Sequence, residues 1–280
     1  YCTGVIVILL GVTIFLTQNW STLGFLTKLL ATLGVGIAAY IAAVILSRNQ
    51  KTEAIGLTLY LIFAVMSPVG ILAIIEQAGF DANTFSWQSV ISGIMLTVFL
   101  LSWWIFRKNI FIFFSTLFGT SFFFFLTSWM ASGSFSDEWK FYCYLFLTIG
   151  AVYLLMGHYF SKKGQNEYFS LRGFFYGFGS LFFLGSALAL GGWSPDQNIF
   201  WELIYPILIF GILLLSVRVS SKSLFVWGIL FLMAYVMKIT DEYFSSGLGW
   251  PLVLVIAGLA MIAIGYGAFA VNKKYFSDGG

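Results

Sequence analysis

The sequence predicts an all-α integral membrane protein, a bundle of about ten transmembrane helices with both termini cytoplasmic. Of its 280 residues, 60% are hydrophobic and 9% are charged, whereas soluble domains carry about 25% charged residues. A protein surface with so few charges is more stable in contact with lipid than in contact with water. The apolar runs show no period-2 alternation, which argues against a lipid-facing barrel. The net charge is +3 without a basic tract, so nucleic acid is not an expected partner.

Apolar runs between polar breaks define the predicted spans, which need about 17–25 residues each. In chain order they cover 3–17, 27–47, 54–76, 86–106, 109–130, 139–161, 170–192, 199–218, 223–243 and 249–271. Every connecting segment is short, so we expect one transmembrane domain over residues 1–280. Five-helix halves over 1–130 and 131–280 are a further option. Because the chain begins with Tyr-Cys and its first run is short, we expect that residues upstream of Tyr1 are missing.

Lysine and arginine set the predicted orientation, because cytoplasmic loops carry an excess of both. When loops are assigned alternately to two sides, one side holds 11 of the 14 basic residues and the other holds eight of the 11 acidic residues. Most tryptophans fall at predicted outer helix ends, where an aromatic ring with a polar edge suits the headgroup level. This alternation supports ten spans and predicts cytoplasmic termini.

Residues suited to metal binding or catalysis are scarce. The two cysteines, Cys2 and Cys143, form no cluster with the single histidine, His158, so neither a metal site nor a disulfide framework is indicated. No Ser/His/Asp set, HExxH motif or phosphate-binding glycine loop is present. We therefore expect no metal, no cofactor and no catalytic residue, and we predict that the protein is not an enzyme.

Two prolines interrupt predicted helices three and eight. Pro68 precedes Gly70 in "VMSPVGI", and Pro206 lies in "LIYPILIFG". A helical proline removes a backbone donor and kinks the helix. Broken helices at matching positions of two halves indicate a transport site; the alternative is a plain kink in each helix. Ten helices with an inverted second half resemble the drug/metabolite transporter superfamily in helix count and orientation alone.

Charged residues near predicted outer helix ends are the other candidates. The stretch "VMKITDEYF" places Lys238, Asp241 and Glu242 on one side of a helix, while Glu76 and Glu202 lie near other outer ends. We interpret the stretch as a helix exit, in which the Lys238 stem snorkels to the interface. The acids would pair with it there for at most about 1 kcal/mol. An outer-facing site, if one exists, is expected between this stretch and Glu202.

Three segments carry a family resemblance. The run "GVIVILLGVTIFLTQNWSTLGFLTKLLATLGVGIAAYIAAVILSR" turns at Asn19-Trp20, and "EAIGLTLYLIFAVMSPVGILAIIEQAGF" ends near Glu76-Gln77. The last segment, "GWPLVLVIAGLAMIAIGYGAFAVNKKYF", contains Trp-Pro near its start and ends with two lysines that follow the apolar run. These segments resemble the bacterial polytopic membrane family catalogued as domain of unknown function 2157, best over residues 4–125. The resemblance implies a multi-pass protein of the bacterial inner membrane and implies no activity.

The resemblance singles out Asn19, Trp20, Glu76 and Gln77, all on the predicted outer side. They could share an outer pocket, but an Asn-Trp pair at a helix exit also suits an interfacial anchor, which we prefer.

Two classes of function follow from the sequence. The scarcity of ionisable residues at mid-span and the lack of a catalytic set favour a non-catalytic accessory, scaffold or sensory membrane subunit. Its expected partners are the lipid bilayer and other membrane protein subunits. The alternative is a small-molecule or lipid permease of ten-helix topology, which the positions of Pro68 and Pro206 favour.

Overall fold

The structure, a computed structural model, describes residues 22–49, 51–132, 138–162, 169–193 and 197–244, with residues 11, 14, 18–20, 255, 259 and 262. Within these ranges, the regular elements are helices, and eight are long and apolar enough to cross a bilayer. They are α1 (Phe25–Leu46), α2 (Glu53–Gln77), α3 (Phe85–Phe106), α4 (Asn109–Ala131), α5 (Glu138–Lys162), α6 (Phe169–Leu190), α7 (Ile199–Val219) and α8 (Lys222–Phe244).

The eight helices match the second to ninth predicted spans, with bounds that agree within two residues. The predicted spans 3–17 and 249–271 lie almost entirely outside the described residues, so the count of ten and the cytoplasmic termini stay predictions. The agreement has a simple cause, because each helix ends where polar or turn-forming residues interrupt the apolar run. After α2, for example, Gly79 adopts a φ of 84°, the left-handed conformation in which glycine ends helices.

The chain forms two compact units, Tyr1–Ser134 and Phe135–Gly280. In the first unit α1 packs on α2, α3 packs on α4, and contacts between α2 and α3 join these pairs. The core is aromatic, and the ring centroids of Phe99 and Phe114 lie 4.9 Å apart. Aromatic pairs of this kind contribute about 0.5–1.5 kcal/mol beyond the area they bury. The buried residues of this core are Ala43, Tyr60, Phe63, Ala64, Met95, Phe99, Phe111 and Phe114.

Helix α1 contains one π-helical turn, Leu30–Gly34, which the apolar sequence pattern does not reveal. Gly70 of α2 lies against this turn. A Cβ atom at this glycine would overlap the Leu33 side chain and would lie 2.9 Å from Oγ1 of Thr32. Pro68 lies two residues earlier in α2, which continues through it. Gly70 therefore allows close approach of two helices, the role that small residues take between membrane helices.

In the second unit α5 packs on α6 and α7 packs on α8, while α6 contacts both α7 and α8. The α5–α6 contact is close because a Cβ atom at Gly150 would overlap the backbone nitrogen of Phe183. A Cβ at Gly157 would similarly lie 2.8 Å from the Tyr176 ring. The buried core is formed by Tyr176, Leu184, Ala187, Tyr205, Ile209, Ile212 and Leu224.

A basic side chain holds the carboxyl end of one helix in each unit. Lys108 Nζ lies 2.6 Å from the carbonyl oxygen of Ser47, directly after α1, and 2.8 Å from Oε1 of Glu53. The Arg172 guanidinium donates to the carbonyls of Val219 and Ser220 at the end of α7. The last carbonyls of a helix lack helical partners and carry partial negative charge, so these cations stabilise the two helix ends.

Candidate functional site

Three charged side chains from two helices meet inside the second unit. Lys238 of α8 donates to Glu202 of α7, with 2.6 Å between Nζ and Oε1. The same ammonium lies 3.1 Å from Oε2 of Glu242, one turn further along α8. The side chains of Lys238 and Glu242 are each 1% exposed, and that of Glu202 is 9% exposed. Glu202, Lys238 and Glu242 together form the Lys–Glu cluster.

Local helix geometry positions each carboxylate of the Lys–Glu cluster. Glu202 lies in the first turn of α7, which Asn198 caps by accepting a hydrogen bond of 3.2 Å from the Phe200 N–H. The start of a helix carries partial positive charge, which stabilises a carboxylate there by about 0.3–1 kcal/mol. On α8, Lys238 and Glu242 are four residues apart and therefore lie on one face. The cluster thus joins the start of α7 to the last turns of α8.

Pro206, which lies inside α7, acts on the same glutamate. Because proline has no N–H, the carbonyl of Glu202, four residues earlier, receives no hydrogen bond from residue 206. The hydroxyl of Tyr235 on α8 lies 3.2 Å from that carbonyl oxygen and donates to it. Tyr235 also packs on Tyr205, with 5.2 Å between the ring centroids. One face of α8 therefore binds Glu202 twice, at its main chain and at its carboxylate.

Gly191 and Trp193, which follow α6, lie beside the Lys–Glu cluster. A Cβ atom at Gly191 would lie 3.7 Å from Nζ of Lys238 and 3.8 Å from Cγ of Glu202, so this glycine borders the ion pair. The ring centroid of Trp193 lies 5.7 Å from the same ammonium, within the range of a cation–π interaction. The Asn198 N–H donates to the Gly191 carbonyl over 2.9 Å, which joins the end of α6 to the start of α7.

Burial makes the Lys–Glu cluster sensitive to the loss of any member. A buried ion loses hydration worth several kcal/mol, which only well-placed opposite charges and hydrogen bonds offset. Removing one partner of such a pair costs about 3–5 kcal/mol, whereas replacing a whole pair by apolar side chains is often neutral or stabilising. Close packing of α7 and α8 therefore does not by itself require the charges of Glu202, Lys238 and Glu242.

The predicted pairing of Lys238 with Glu242 in "VMKITDEYF" is present, but the predicted extension of Lys238 to the interface is wrong. Lys238 is buried rather than extended toward solvent, and its nearest carboxylate, Glu202, comes from another helix. Glu242 completes the pairing, while Asp241 is exposed. The limit of about 1 kcal/mol for solvent-exposed pairs therefore does not apply to this lysine.

In the first unit, Trp20 and Glu76 come together. Trp20 Nε1 donates to Oε2 of Glu76 over 3.1 Å, and Lys28 Nζ lies 4.5 Å from the centroid of the Trp20 ring. The backbone carbonyl of Asn19 accepts hydrogen bonds from the N–H and hydroxyl of Thr22. These contacts attach the Asn19-Trp20 turn to the last turn of α2. Because Glu76 is exposed, we expect its hydrogen bond to contribute little stability.

The two predicted proline sites differ in what surrounds them. In the first unit, Gly70 beside Pro68 serves as a packing contact with α1. In the second unit, Pro206 exposes a carbonyl that Tyr235 binds. The pairing of Pro68 and Pro206 in one transport site stays a prediction.

Sequence reasoning missed Tyr235, Trp193 and Gly191 as neighbours of the charges. Tyr235 could have been found from two spacings: it precedes Lys238 by three residues, and Pro206 follows Glu202 by four. Trp193 and Gly191 carry no such signal, because their position depends on how α6 meets α7. Within the described ranges, no three His, Cys, Asp or Glu side chains are grouped so as to hold a metal ion.

Comparisons with known proteins found no matching family model, no similar curated protein and no similar solved structure.

Proposed function

We propose that the chain is a multi-pass permease of the bacterial inner membrane that binds a small solute at the Lys–Glu cluster. The observation that carries the proposal is the burial of Lys238 between Glu202 and Glu242 at 2.6 and 3.1 Å. Ionisable residues inside membrane proteins are rare, and they typically belong to substrate or ion pathways. Apolar side chains could fill the same space without the cost of removing charges from water. A binding role would therefore explain why charged side chains lie there.

The position of the cluster fits a binding site near one membrane surface. At a rise of about 1.5 Å per residue, Lys238 lies roughly 9 Å before the last residue of α8, and Glu202 lies in the first turn of α7. In the proposed topology, with ten helices and cytoplasmic termini, these helix ends face outward. A solute would therefore reach the cluster from the outer side.

Release of solutes from liposomes tests the permease proposal. Purified protein is reconstituted into liposomes loaded with a mixture of amino acids, amines, sugars and nucleosides, and the released compounds are identified by mass spectrometry. We expect at least one solute to leave faster with the wild type than with Glu202→Gln or Lys238→Met. Asp241→Asn serves as the matched control because its carboxylate is exposed and outside the cluster. If wild-type and protein-free liposomes release the same solutes at the same rates, the permease proposal fails.

A second candidate, a non-catalytic accessory or scaffold subunit, is favoured by the close helix packing. Gly70 lies against Thr32 and Leu33, and Gly150 lies against the Phe183 backbone. Rigid helix pairs of this kind suit a protein that holds another membrane subunit through its exposed apolar surface. Cross-linking in native membranes would then give a stoichiometric complex that forms equally well with the wild type and with Glu202→Gln. If the complex does not form with Glu202→Gln, the accessory-subunit proposal is wrong and the Lys–Glu cluster carries the function.

A further inference from the structure

One end of the first unit gathers basic side chains around a single carboxylate. The end of α1, the start of α2 and the start of α4 meet there, because Lys108 Nζ contacts both the Ser47 carbonyl and Oε1 of Glu53. The basic residues of the two connecting segments are Arg48, Lys51, Arg107 and Lys108, and the acidic residue beside them is Glu53. This end of the unit therefore carries an excess of three positive charges.

The excess charge belongs to three exposed side chains. Lys108 is paired with Glu53, which leaves Arg48, Lys51 and Arg107, all exposed. Positive charges on neighbouring segments repel one another, and an anion that binds among them offsets this repulsion. Phosphate suits such a site, since the guanidinium donors of arginine match its oxygens in pairs.

Contact with Trp103 leaves the Arg107 guanidinium able to bind an anion. Its central carbon lies 5.2 Å from the centroid of the Trp103 ring, within the range of a cation–π interaction. The five N–H donors of a guanidinium lie in its own plane, so a ring over its face does not occupy them. Arg107 also has a φ of 54°, for which glycine is the usual residue at a helix end. The turn itself therefore does not call for an arginine.

Exposed apolar side chains lie within one helical turn of these cations. Ile45 on α1 is 63% exposed, and Trp104 and Ile105 on α3 are 67% and 63% exposed. In a bilayer, such aliphatic side chains contact acyl chains, while tryptophan favours the level of the headgroups. A molecule with an anionic headgroup and acyl chains therefore meets complementary groups at both of its parts.

We propose that this end of the first unit binds the headgroup of an anionic phospholipid through Arg48, Lys51 and Arg107. In the predicted topology this end faces the cytoplasm, where the leaflet has a negative surface potential and basic pockets between helices bind anionic headgroups. The apolar side chains beside the cations favour a phospholipid over a soluble phosphate. The lipid site is separate from the Lys–Glu cluster and does not depend on solute transport.

Fluorescence quenching at a single labelled cysteine tests this proposal, because it reports the lipids next to that position. In the Cys2→Ser, Cys143→Ser background, the full chain carries a fluorophore on Asn49→Cys, in the exposed segment after α1. A second protein carries it on Ser132→Cys, which is exposed at the other end of α4. Both are reconstituted into mixed dioleoylphosphatidylglycerol and dioleoylphosphatidylcholine. One lipid at a time bears a nitroxide near its headgroup, which gives their relative affinity at each position.

We expect phosphatidylglycerol to be preferred at Asn49→Cys by at least about threefold, as basic residues near anionic lipid imply, and not to be preferred at Ser132→Cys. Adding Arg48→Gln, Lys51→Gln and Arg107→Gln should remove the preference and, since these side chains are exposed, leave Tm unchanged. If the triple variant does not fold, Arg48→Gln with Lys51→Gln should still lower the preference. Equal preferences at the two labelled positions, or a preference that survives the substitutions, would overturn the proposal.

Two cations of the second unit provide a matched control. Arg218→Gln with Lys222→Gln removes two positive charges from the same predicted side of the membrane, at the end of α7 and the start of α8. The preference at Asn49→Cys should be unchanged in this variant. If it falls as far as in Arg48→Gln with Lys51→Gln, the overall charge of the protein attracts the lipid and the proposed site is wrong.

Discussion

The Tyr235 hydroxyl donates to the main-chain carbonyl of Glu202 over 3.2 Å, the carbonyl that Pro206 leaves without a helical hydrogen bond. Tyr235 and Lys238 are three residues apart on α8, so both reach Glu202 from one helix face. Pro206 and the ion pair are therefore parts of one arrangement. A proline in this position makes the backbone of Glu202 available to a second helix.

Replacing Tyr235 by Phe should destabilise the protein in a way that depends on Pro206. The Tyr235→Phe change removes the hydrogen bond to the Glu202 carbonyl, and such a loss costs about 1–3 kcal/mol for a buried group. Pro206→Ala supplies an N–H at residue 206 that can bond the same carbonyl within α7. Tyr235→Phe should therefore cost less in the Pro206→Ala background. The measurement is a double-mutant cycle on the free energy of unfolding, and equal costs in both backgrounds would refute the link.

Removing one charge of the buried pair should destabilise more than removing both. We expect Lys238→Met or Glu202→Gln alone to lower the free energy of unfolding by about 3–5 kcal/mol, and the double variant to lose less than the sum. Reversible unfolding in mixed micelles gives these values. Asp241→Asn, which removes an exposed carboxylate next to Glu242, should change stability by less than about 0.5 kcal/mol. Additive single effects would show that Lys238 and Glu202 are not coupled.

Replacing either of two glycines by alanine should change the stability of the protein, but in opposite directions. At Gly70 a Cβ atom would overlap Leu33, and overpacking of this kind costs about 1–3 kcal/mol. At Gly211 a Cβ atom would meet no neighbouring helix within 4 Å, so alanine should stabilise α7 by roughly 0.5–1 kcal/mol through helix propensity. Tm values of Gly70→Ala and Gly211→Ala are to be compared with the wild type. A higher Tm for Gly70→Ala would contradict the close approach of α1 and α2.

Cysteine labelling tests the predicted orientation. Ser132 follows α4 and Asn49 follows α1, and both are exposed. In a Cys2→Ser, Cys143→Ser background, Ser132→Cys should react with a membrane-impermeant maleimide added to intact cells. Asn49→Cys should react only after permeabilisation. The reverse pattern would invert the predicted topology.

The sequence determines the helices well because each apolar run is bounded by polar residues. Predicted span 54–76 became Glu53–Gln77, for example. The sequence places a possible site between "VMKITDEYF" and Glu202, but the direct pairing was harder to predict, since Glu202 and Lys238 are 36 residues apart and α7 has almost no amphipathic pattern. A helix without a polar face gives no periodic signal for which side meets its neighbour. The π-helical turn Leu30–Gly34 was hidden for a related reason, because its residues continue the apolar run.

In the predicted topology, Lys108 and Arg172 combine two roles, one in orienting the chain and one in the folded bundle. Positive loop charges ordinarily can be moved to the other side of a membrane with little effect on the folded bundle. Here, however, Lys108 also binds the carbonyl after α1, and Arg172 binds those that end α7. A mutation that removed either cation would weaken the insertion signal and loosen a helix end together. In the predicted topology, the cations that orient the chain are therefore also the cations that stabilise two folded helix ends.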